Sequence, residues 1–276
     1  MRNRNVWMLI AVAAAPALLG AQWLNHLTPG IPRTPDGKPN LLAKTPRAAD
    51  GRPDLSGLWQ TDGAPPAILA RLLPGGNGEG ADTPSQYFLN ILDDFKPDQG
   101  LLLPIAAASY RQRVKDFTKE SPLSHCLPTG IPMVVYAPAP FKVVQTPGLT
   151  VMIYERDTTF RQVYTDGRDL PVDPQPTWMG YSVGKWDGDT LAIETVGLTD
   201  RSWLDARGHT HSEALRLTER YHRVDFGHME VQMTFDDPKT YTKPFSINLK
   251  QHFLADTDLL ESFCENERDM RHIERK

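Results

Sequence analysis

From Pro128 to the C-terminus the sequence is a succession of short strand candidates separated by turn signals, and this pattern constrains the fold most. Most candidates are apolar or alternating runs with the period of two that a β-strand requires. Pro147-Gly148 and Asp187-Gly188-Asp189 are tight-turn signals of the kind that join hairpin strands. The candidates span residues 134–136, 141–146, 149–155, 160–165, 179–186, 190–197, 215–223, 229–235, 245–253 and 258–263, and an earlier candidate spans 53–60.

The strands follow one another without alternating helices, so the sequence predicts an antiparallel meander rather than a parallel sheet. We expect a mainly β protein, an antiparallel lipocalin-like β-barrel, because closure removes exposed edges. A β-sandwich is the alternative. Helical patterns cover 85–95, with Ser85 as N-cap, and 105–117, where Arg111 and Arg113 are interpreted as a solvated face. These short helices would pack outside the barrel.

The chain of 276 residues is expected to begin with a signal peptide over 1–21, because two arginines precede an apolar run and a small-residue cleavage site. An uncleaved anchor is the alternative, although the run is too short to span a membrane comfortably. Residues 22–51 would form an extended arm, and 52–276 a single barrel domain with a helical insertion around 85–117. We therefore predict a secreted or periplasmic protein with no stable membrane anchor. The net charge of −4 argues against a nucleic-acid partner.

Cys126 and Cys264 are the two cysteines of the chain. In an oxidising compartment the simplest interpretation is a disulfide. Closing so long a loop would stabilise the fold by roughly 4–5 kcal/mol in the chain-entropy model. Two buried thiols are the alternative.

Gly57-Leu58-Trp59, on the first strand candidate, resembles the Gly-x-Trp element at the start of lipocalins. That resemblance implies a barrel whose closed end is plugged by Trp59 and which binds small apolar molecules. Trp59 is equally interpretable as a large core aromatic. The chain also resembles a broad group of secreted bacterial β-rich proteins of unassigned function, through Pro-Asp-Leu-Ser-Gly-x-Trp, Trp-x-Gly-Asp-Thr-Leu and Gly-His-x-His-Ser-Glu. This second resemblance implies no activity.

The stretch from Trp203 to Phe235 contains the strongest functional signal. Its alternation places Leu215, Leu217 and Tyr221 on one face of a strand. If the same alternation is extended along the chain, four ionisable residues fall on that face as well: His209, His211, Glu213 and Glu219. An apolar face that carries imidazoles and carboxylates indicates a site.

Two kinds of chemistry fit these residues. In the first, His209 or His211 acts as base or acid, Asp205 and Glu213 orient the imidazole, and Glu219 acts deeper in the pocket. Glu219 has an alternative, a buried salt bridge with an arginine or a hydrogen bond to a tyrosine or tryptophan, because an unpaired buried carboxylate is costly.

In the second kind, a divalent metal binds His209, His211 and Glu213, because His-x-His on a strand points both imidazoles to one side. A further ligand would come from His252, Asp205 or Glu219. The alternative is a polar strand entry whose histidines bond the backbone. We predict no cofactor, with the metal as a minor alternative.

Several residues could contact a ligand. Tyr164 could donate to a ligand oxygen and Arg168 could clamp a carboxylate, although a hairpin turn with a surface ion pair explains them equally. The expected apolar walls are formed by Trp178, Tyr181, Trp203 and Tyr221. The sequence has no Gly-rich phosphate loop and no Cys-x-x-Cys.

The leading hypothesis is a barrel that encloses a small, largely apolar organic molecule and acts on it by acid–base chemistry of hydrolase, lyase or isomerase type. The second hypothesis is a lipocalin-type binder or carrier without turnover. The third is a structural protein of the cell envelope, with a barrel filled by its own side chains.

Overall fold

The computed structural model describes residues 27–74, 83–96, 100–115 and 120–264, and its centre is a closed barrel of nine strands in sequence order. The predicted signal peptide lies outside the described residues. The strands are β1 Gly57–Thr61, β2 Phe141–Thr146, β3 Leu149–Tyr154, β4 Thr159–Tyr164, β5 Tyr181–Asp187, β6 Thr190–Val196, β7 Arg216–Arg223, β8 His228–Asp236 and β9 Phe245–Phe253. β9 pairs with β1 and closes the ring, so the predicted barrel is confirmed and the sandwich alternative is wrong.

One neighbouring pair of strands, β4 and β5, is parallel, and all the others are antiparallel. An odd number of strands cannot alternate in direction around a closed ring. With nine strands at least one pair must therefore be parallel. The long Pro-rich loop over 165–180 carries the chain back to the end of the barrel where β5 must start.

Two predicted strands are absent. Residues Met133–Tyr136 form a 3-10 helix that is buried over its whole length. Residues 258–263 take part only in an isolated bridge, between Ser262 and Arg156. The first segment is a short apolar run, and such runs do not by themselves distinguish a strand from another buried segment. The second is short and half polar, and most of it is exposed.

In the described part of the chain, three short α-helices precede β2: α1 Pro66–Leu72, α2 Gln86–Leu89 and α3 Pro104–Arg113. Ser85 caps α2 as predicted, with its hydroxyl accepting from the Phe88 amide at 3.1 Å. The predicted helix over 85–95 nevertheless ends at Leu89, and the chain continues as turns. A further 3-10 helix spans Pro122–His125.

The lumen of the barrel is filled by side chains. Along β7 to β9 every second residue is buried, and these residues point inward. Trp59, Met152, Leu217 and Met233 are all 0% exposed. A cavity large enough for a water molecule beside one of these side chains would give that side chain a non-zero exposure. The described lumen therefore offers no room at these positions for the ligand that we expected inside it.

Gly57 and Trp59 explain the Gly-x-Trp element physically. Gly57 has a φ of +136°, and a Cβ at this position would overlap the ring of Phe253. Trp59 then packs edge-on against Phe253, with ring centroids 5.4 Å apart, and donates its indole N–H to the Leu55 carbonyl at 3.0 Å. The guanidinium of Arg223 lies 4.8 Å from the Trp59 ring centroid. Trp59 is thus a core aromatic.

Cys126 and Cys264 form the predicted disulfide. It links the segment after the helices to the chain beyond β9. Within the ranges given above, no helix has the length and apolar character needed to cross a membrane.

Candidate functional site

Glu219 is paired inside the barrel with Arg161. Both nitrogens of the Arg161 fork donate to the two carboxylate oxygens, and the Tyr221 hydroxyl donates to Oε1 at 3.0 Å. Arg161 also donates to Ser182 at 2.9 Å and Thr195 at 2.6 Å. The predicted alternative, a buried salt bridge with an arginine or a hydrogen bond to a tyrosine or tryptophan, is confirmed, because the arginine and a tyrosine both bind the carboxylate. Burial alone would lower the pKa of Arg161, but the attraction and hydrogen bonds of Glu219 outweigh burial and raise it.

The histidine segment lies in the loop between β6 and β7, at one end of the barrel. Its backbone folds back at Asp205, so that the Leu204 amide donates to the His209 carbonyl at 2.7 Å. Gly208 supports this turn with a φ of +90°. The Tyr136 hydroxyl donates to the Leu204 carbonyl at 2.6 Å, and Tyr241 donates to Thr210 at 3.0 Å. The loop is therefore held by two buried tyrosines, one in the 3-10 helix before β2 and one in the connection between β8 and β9.

Asp205 organises this turn through its carboxylate. Oδ1 accepts from the amides of Arg207 at 2.9 Å and His209 at 3.0 Å, which is the local pattern of an Asx turn. Oδ2 accepts from the amide of Ile91 at 2.7 Å, just beyond α2. It also lies 2.5 Å from Nδ1 of His209. Asp205 is 0% exposed, and its two oxygens take part in all four of these contacts.

The bond from Nδ1 to Asp205 fixes the tautomer of a neutral His209, because a carboxylate can only accept. Nε2 is then the unprotonated nitrogen. No described residue makes a hydrogen bond to Nε2 of His209, and Nε2 is not among the buried polar atoms that lack a partner. Nε2 therefore has no hydrogen-bond partner among the described residues, and the His209 side chain is 6% exposed. An imidazole held in one orientation by a buried carboxylate, with its second nitrogen free, is an arrangement suited to a general base.

α3 supports His209 from the outside. The Tyr110 ring stacks on the imidazole, with centroids 4.1 Å apart and an interplanar angle of 14°. Arg113 donates to the Gly208 carbonyl and to the Thr210 hydroxyl, both at 3.0 Å. Burial and the nearby Asp205 carboxylate raise the pKa of Tyr110, so its hydroxyl remains a donor near neutral pH.

His209 opens onto a cleft of 440 Å³ outside the barrel lumen. This volume lies within the range of about 300–1,000 Å³ that is usual for small-molecule sites. Apolar side chains form part of its wall: Leu92, Phe95, Leu101, Leu102 and Ala107. Its polar lining comprises Asn90, Lys96, Tyr110, Arg111 and His209. The imidazole of His209 is thus at the edge of a space that could hold a small organic molecule.

His211 faces a different environment from His209. Its Nδ1 lies 2.9 Å from the Ser212 carbonyl and its Nε2 lies 2.8 Å from the Ser202 hydroxyl, so both ring nitrogens are engaged. Burial lowers the pKa of His211 below its ordinary value of 6.5. His211 is therefore a buried neutral histidine that holds the loop together.

Glu213 is exposed, so its predicted inward orientation is wrong. The strand alternation does not extend back past β7, because the Leu215 amide bonds to the Ser212 carbonyl and closes a turn. Ser212 in turn donates its amide to Asp237 at 2.6 Å and its hydroxyl at 2.7 Å. Residues 212–215 therefore do not share the orientation of Leu217.

The predicted metal ligands are not assembled. Among the residues that the structure describes, no group of three His, Cys, Asp or Glu side chains is placed to hold a metal ion. His252, named as a further ligand, instead lies with Nδ1 2.7 Å from Asp62 on the barrel surface.

The predicted ligand-contacting residues are dispersed. Tyr164 stacks on Tyr181 with centroids 5.3 Å apart, and Arg168 lies over the Tyr164 ring and pairs with Asp166 at 2.7 Å. This is the surface ion pair that we gave as the alternative. Trp178 is partly exposed beneath Arg201, whereas Trp203 and Tyr221 are buried. None of these six residues lines the cleft beside His209.

The sequence analysis missed residues that shape the site. Arg111 and Arg113 were assigned to a solvated face, yet Arg113 binds the histidine loop and Arg111 lines the cleft. No local signal identifies Tyr110, because its contact with His209 is long-range. The sequence did not identify Arg161 either, because Val163 shares its parity while Phe160 and Tyr164 are on the opposite one, so the alternation does not say which face is buried.

Comparison of the chain with protein-family models, with curated proteins and with solved structures finds no match. The residues and their geometry therefore carry the functional argument.

Proposed function

We propose that the protein binds a small organic molecule in the cleft beside His209 and that His209 transfers a proton to or from it. The observation that carries this proposal is the His209 imidazole itself. One nitrogen is bonded to a buried carboxylate 2.5 Å away, and the other is free beside a cleft of 440 Å³.

In the proposed reaction Nε2 of His209 removes a proton from the bound substrate. The resulting imidazolium is stabilised by Asp205, whose charge lies against Nδ1. The Tyr110 stack and the hydrogen bonds of Arg113 keep the ring in one orientation, and such positioning lowers the entropic cost of proton transfer. The reaction would be of hydrolase, lyase or isomerase type.

Non-catalytic binding in the same cleft is the second candidate. It is favoured by the three hydrogen bonds that Asp205 accepts from backbone amides, because these bonds would give Asp205 a structural role in the loop even if no reaction takes place there. In this alternative His209 orients a ligand that leaves unchanged.

We propose a secreted or periplasmic location, because a disulfide between Cys126 and Cys264 is stable in an oxidising compartment.

Acylation by diethyl pyrocarbonate, which requires an accessible unprotonated imidazole nitrogen, tests the base directly. Mass spectrometry at neutral pH should find His209 modified well before His211, whose nitrogens are both engaged. If His209 reacts as slowly as His211, it is not an accessible base and the proposal fails.

Turnover separates the two candidates. Wild type, His209→Gln and Asp205→Asn would be assayed against a panel of p-nitrophenyl esters, lactones and 3-hydroxy acids, with His222→Gln on the outer barrel face as control. Catalysis predicts that any turnover disappears in the first two variants and persists in the control. Turnover that survives His209→Gln would contradict the catalytic proposal.

A further inference from the structure

The charge distribution of the cleft points to a class of ligand. Among the described residues that line the cleft, Lys96 and Arg111 are cationic and none is acidic. The nearest carboxylate named in the site, Asp205, lies behind His209, where four hydrogen bonds occupy its two oxygens. The described lining of the cleft therefore contributes two positive charges and no negative charge.

Neither cation is used by the fold. No described residue forms a hydrogen bond or ion pair with the side chain of Lys96 or Arg111, and both residues are exposed. The other basic residues of this region are engaged: Arg71 binds Asp93 at 2.7 Å, and Arg113 binds Gly208 and Thr210. Lys96 and Arg111 are thus available to a ligand.

The same cleft has an apolar wall. Phe95 is held by an edge-on contact with Phe245, at a centroid distance of 5.7 Å, and Leu101 is buried beneath the surface. Tyr110 adds an aromatic ring whose far face is stacked on His209. A ligand that matches both features has an apolar or aromatic body and one anionic group.

We propose that the ligand of this cleft is a small amphiphilic organic anion, such as an aromatic or aliphatic carboxylate, whose charge is bound by Lys96 and Arg111 and whose body packs on Phe95 and the neighbouring leucines. This inference rests on the proposed function, because it assigns the substrate class of the same site. An anion bound here places its body within the space that His209 faces. A guanidinium and an ammonium suit a carboxylate or a sulfonate equally.

Two dyes that share an apolar body test the inference. 8-Anilinonaphthalene-1-sulfonate carries one sulfonate, and N-phenyl-1-naphthylamine is the same aromatic molecule without it. Fluorescence titrations would compare wild type with the double variant Lys96→Gln/Arg111→Gln. The control is Lys115→Gln/Lys185→Gln, which removes the same charge from exposed positions outside the cleft.

The double variant should bind the sulfonate dye about tenfold or more weakly, because two charge-assisted contacts are lost. Its affinity for the neutral dye should change less than about twofold, and the control should match wild type for both dyes. Equal affinity of wild type and double variant for the sulfonate dye would overturn the anion assignment. An equal loss in the control would also overturn it, because the effect would then come from net charge alone.

Acylation of His209 distinguishes this failure from failure of the proposed function. The sulfonate dye should slow acylation of His209 in wild type and not in the double variant. If His209 is acylated slowly in the absence of dye but dye binding depends on Lys96 and Arg111, the anion site is supported and the role of His209 as a base is rejected. If His209 is acylated rapidly but dye binding does not depend on Lys96 and Arg111, the role of His209 as a base is supported and the anion site is rejected.

Discussion

Arg161 and Glu219 form an ion pair in the interior of the barrel, where their side chains are 1% and 0% exposed. The pair is completed by the hydroxyls of Ser182, Thr195 and Tyr221, so its polar atoms are satisfied without water. The strand alternation alone suggested a ligand pocket in this part of the barrel. The network of these five side chains occupies that space instead.

Removing one partner of this pair should be costly. Arg161→Met leaves the Glu219 carboxylate buried without its cation, and we expect a loss of about 3–5 kcal/mol in the free energy of unfolding. Arg161→Met/Glu219→Leu should recover most of that loss. Urea unfolding measures both, with Arg216→Met as control. The control removes a pair with Glu194 that is about half exposed and should cost less than about 1 kcal/mol. A double variant no more stable than Arg161→Met would contradict the explanation.

Asp205→Asn tests the organisation of the histidine loop. An asparagine keeps the shape but has one acceptor oxygen in place of two, so part of the set of four hydrogen bonds must be lost. We expect a loss of about 1–3 kcal/mol in unfolding free energy and slower acylation of His209. Asp236→Asn, on the exposed face of β8, is the control. Unchanged acylation would show that Asp205 does not orient His209.

His211 predicts a pH dependence of stability. Its pKa in the folded protein is below the ordinary 6.5, so the unfolded chain binds more protons once the pH falls below that value. The contribution of His211 is therefore complete well above pH 6.5 and declines as the pH falls below it. Between about pH 7.5 and about pH 5.5 the loss is at most about 1.4 kcal/mol. Unfolding of His211→Gln should lack this component, whereas His222→Gln should retain it. Identical slopes for wild type and His211→Gln would refute the assignment.

Cys126→Ser/Cys264→Ser opens a loop of 138 residues. In the chain-entropy model this costs about 4–5 kcal/mol, because the unfolded chain regains the freedom that the bond removed. Thermal unfolding should therefore show a clearly lowered Tm, and reduction of wild type should give the same Tm as the double serine variant. A variant as stable as the oxidised protein would be the contrary outcome.

Comparing Gly57→Ala with Gly37→Ala separates the cost of backbone strain from the cost of steric overlap with Phe253. Gly57 and Gly37 both have positive φ, at +136° and +82°, but a Cβ at Gly37 meets nothing within 4 Å. Gly37→Ala should therefore cost about 1–2 kcal/mol from the backbone alone. Gly57→Ala should cost about 1–3 kcal/mol more, because its Cβ displaces the Phe253 ring that packs on Trp59. Equal losses in urea unfolding would show that the overlap is relieved without cost.

The alternation of β7 correctly predicted that Leu217, Glu219 and Tyr221 share one side of a strand. The same alternation failed at Glu213, because the turn closed by Ser212 interrupts the strand before that residue. The periodicity of a strand is informative only while the chain remains extended, and nothing in the residues 209–215 marks where the extension begins.

The contact between His209 and Asp205 could be predicted from the sequence, because the two residues are four positions apart in one loop. The stacking of Tyr110, the position of Arg111 and the amide of Ile91 were not, because these contacts join segments that are about a hundred residues apart. The geometry around His209 was therefore half predictable: its contact with Asp205 lies within one loop, whereas most of the cleft is lined by another part of the chain.

The sequence by itself determined the mainly β, mostly antiparallel architecture, the helix cap at Ser85 and the pair of cysteines, because turn chemistry, side-chain alternation and capping are local properties. Only the tertiary structure decided that the lumen is filled, that Arg161 neutralises Glu219 and that His209 faces an outer cleft rather than the barrel interior. These outcomes depend on which distant residues occupy the same space when the ring closes, and packing of that kind is not encoded in any one segment.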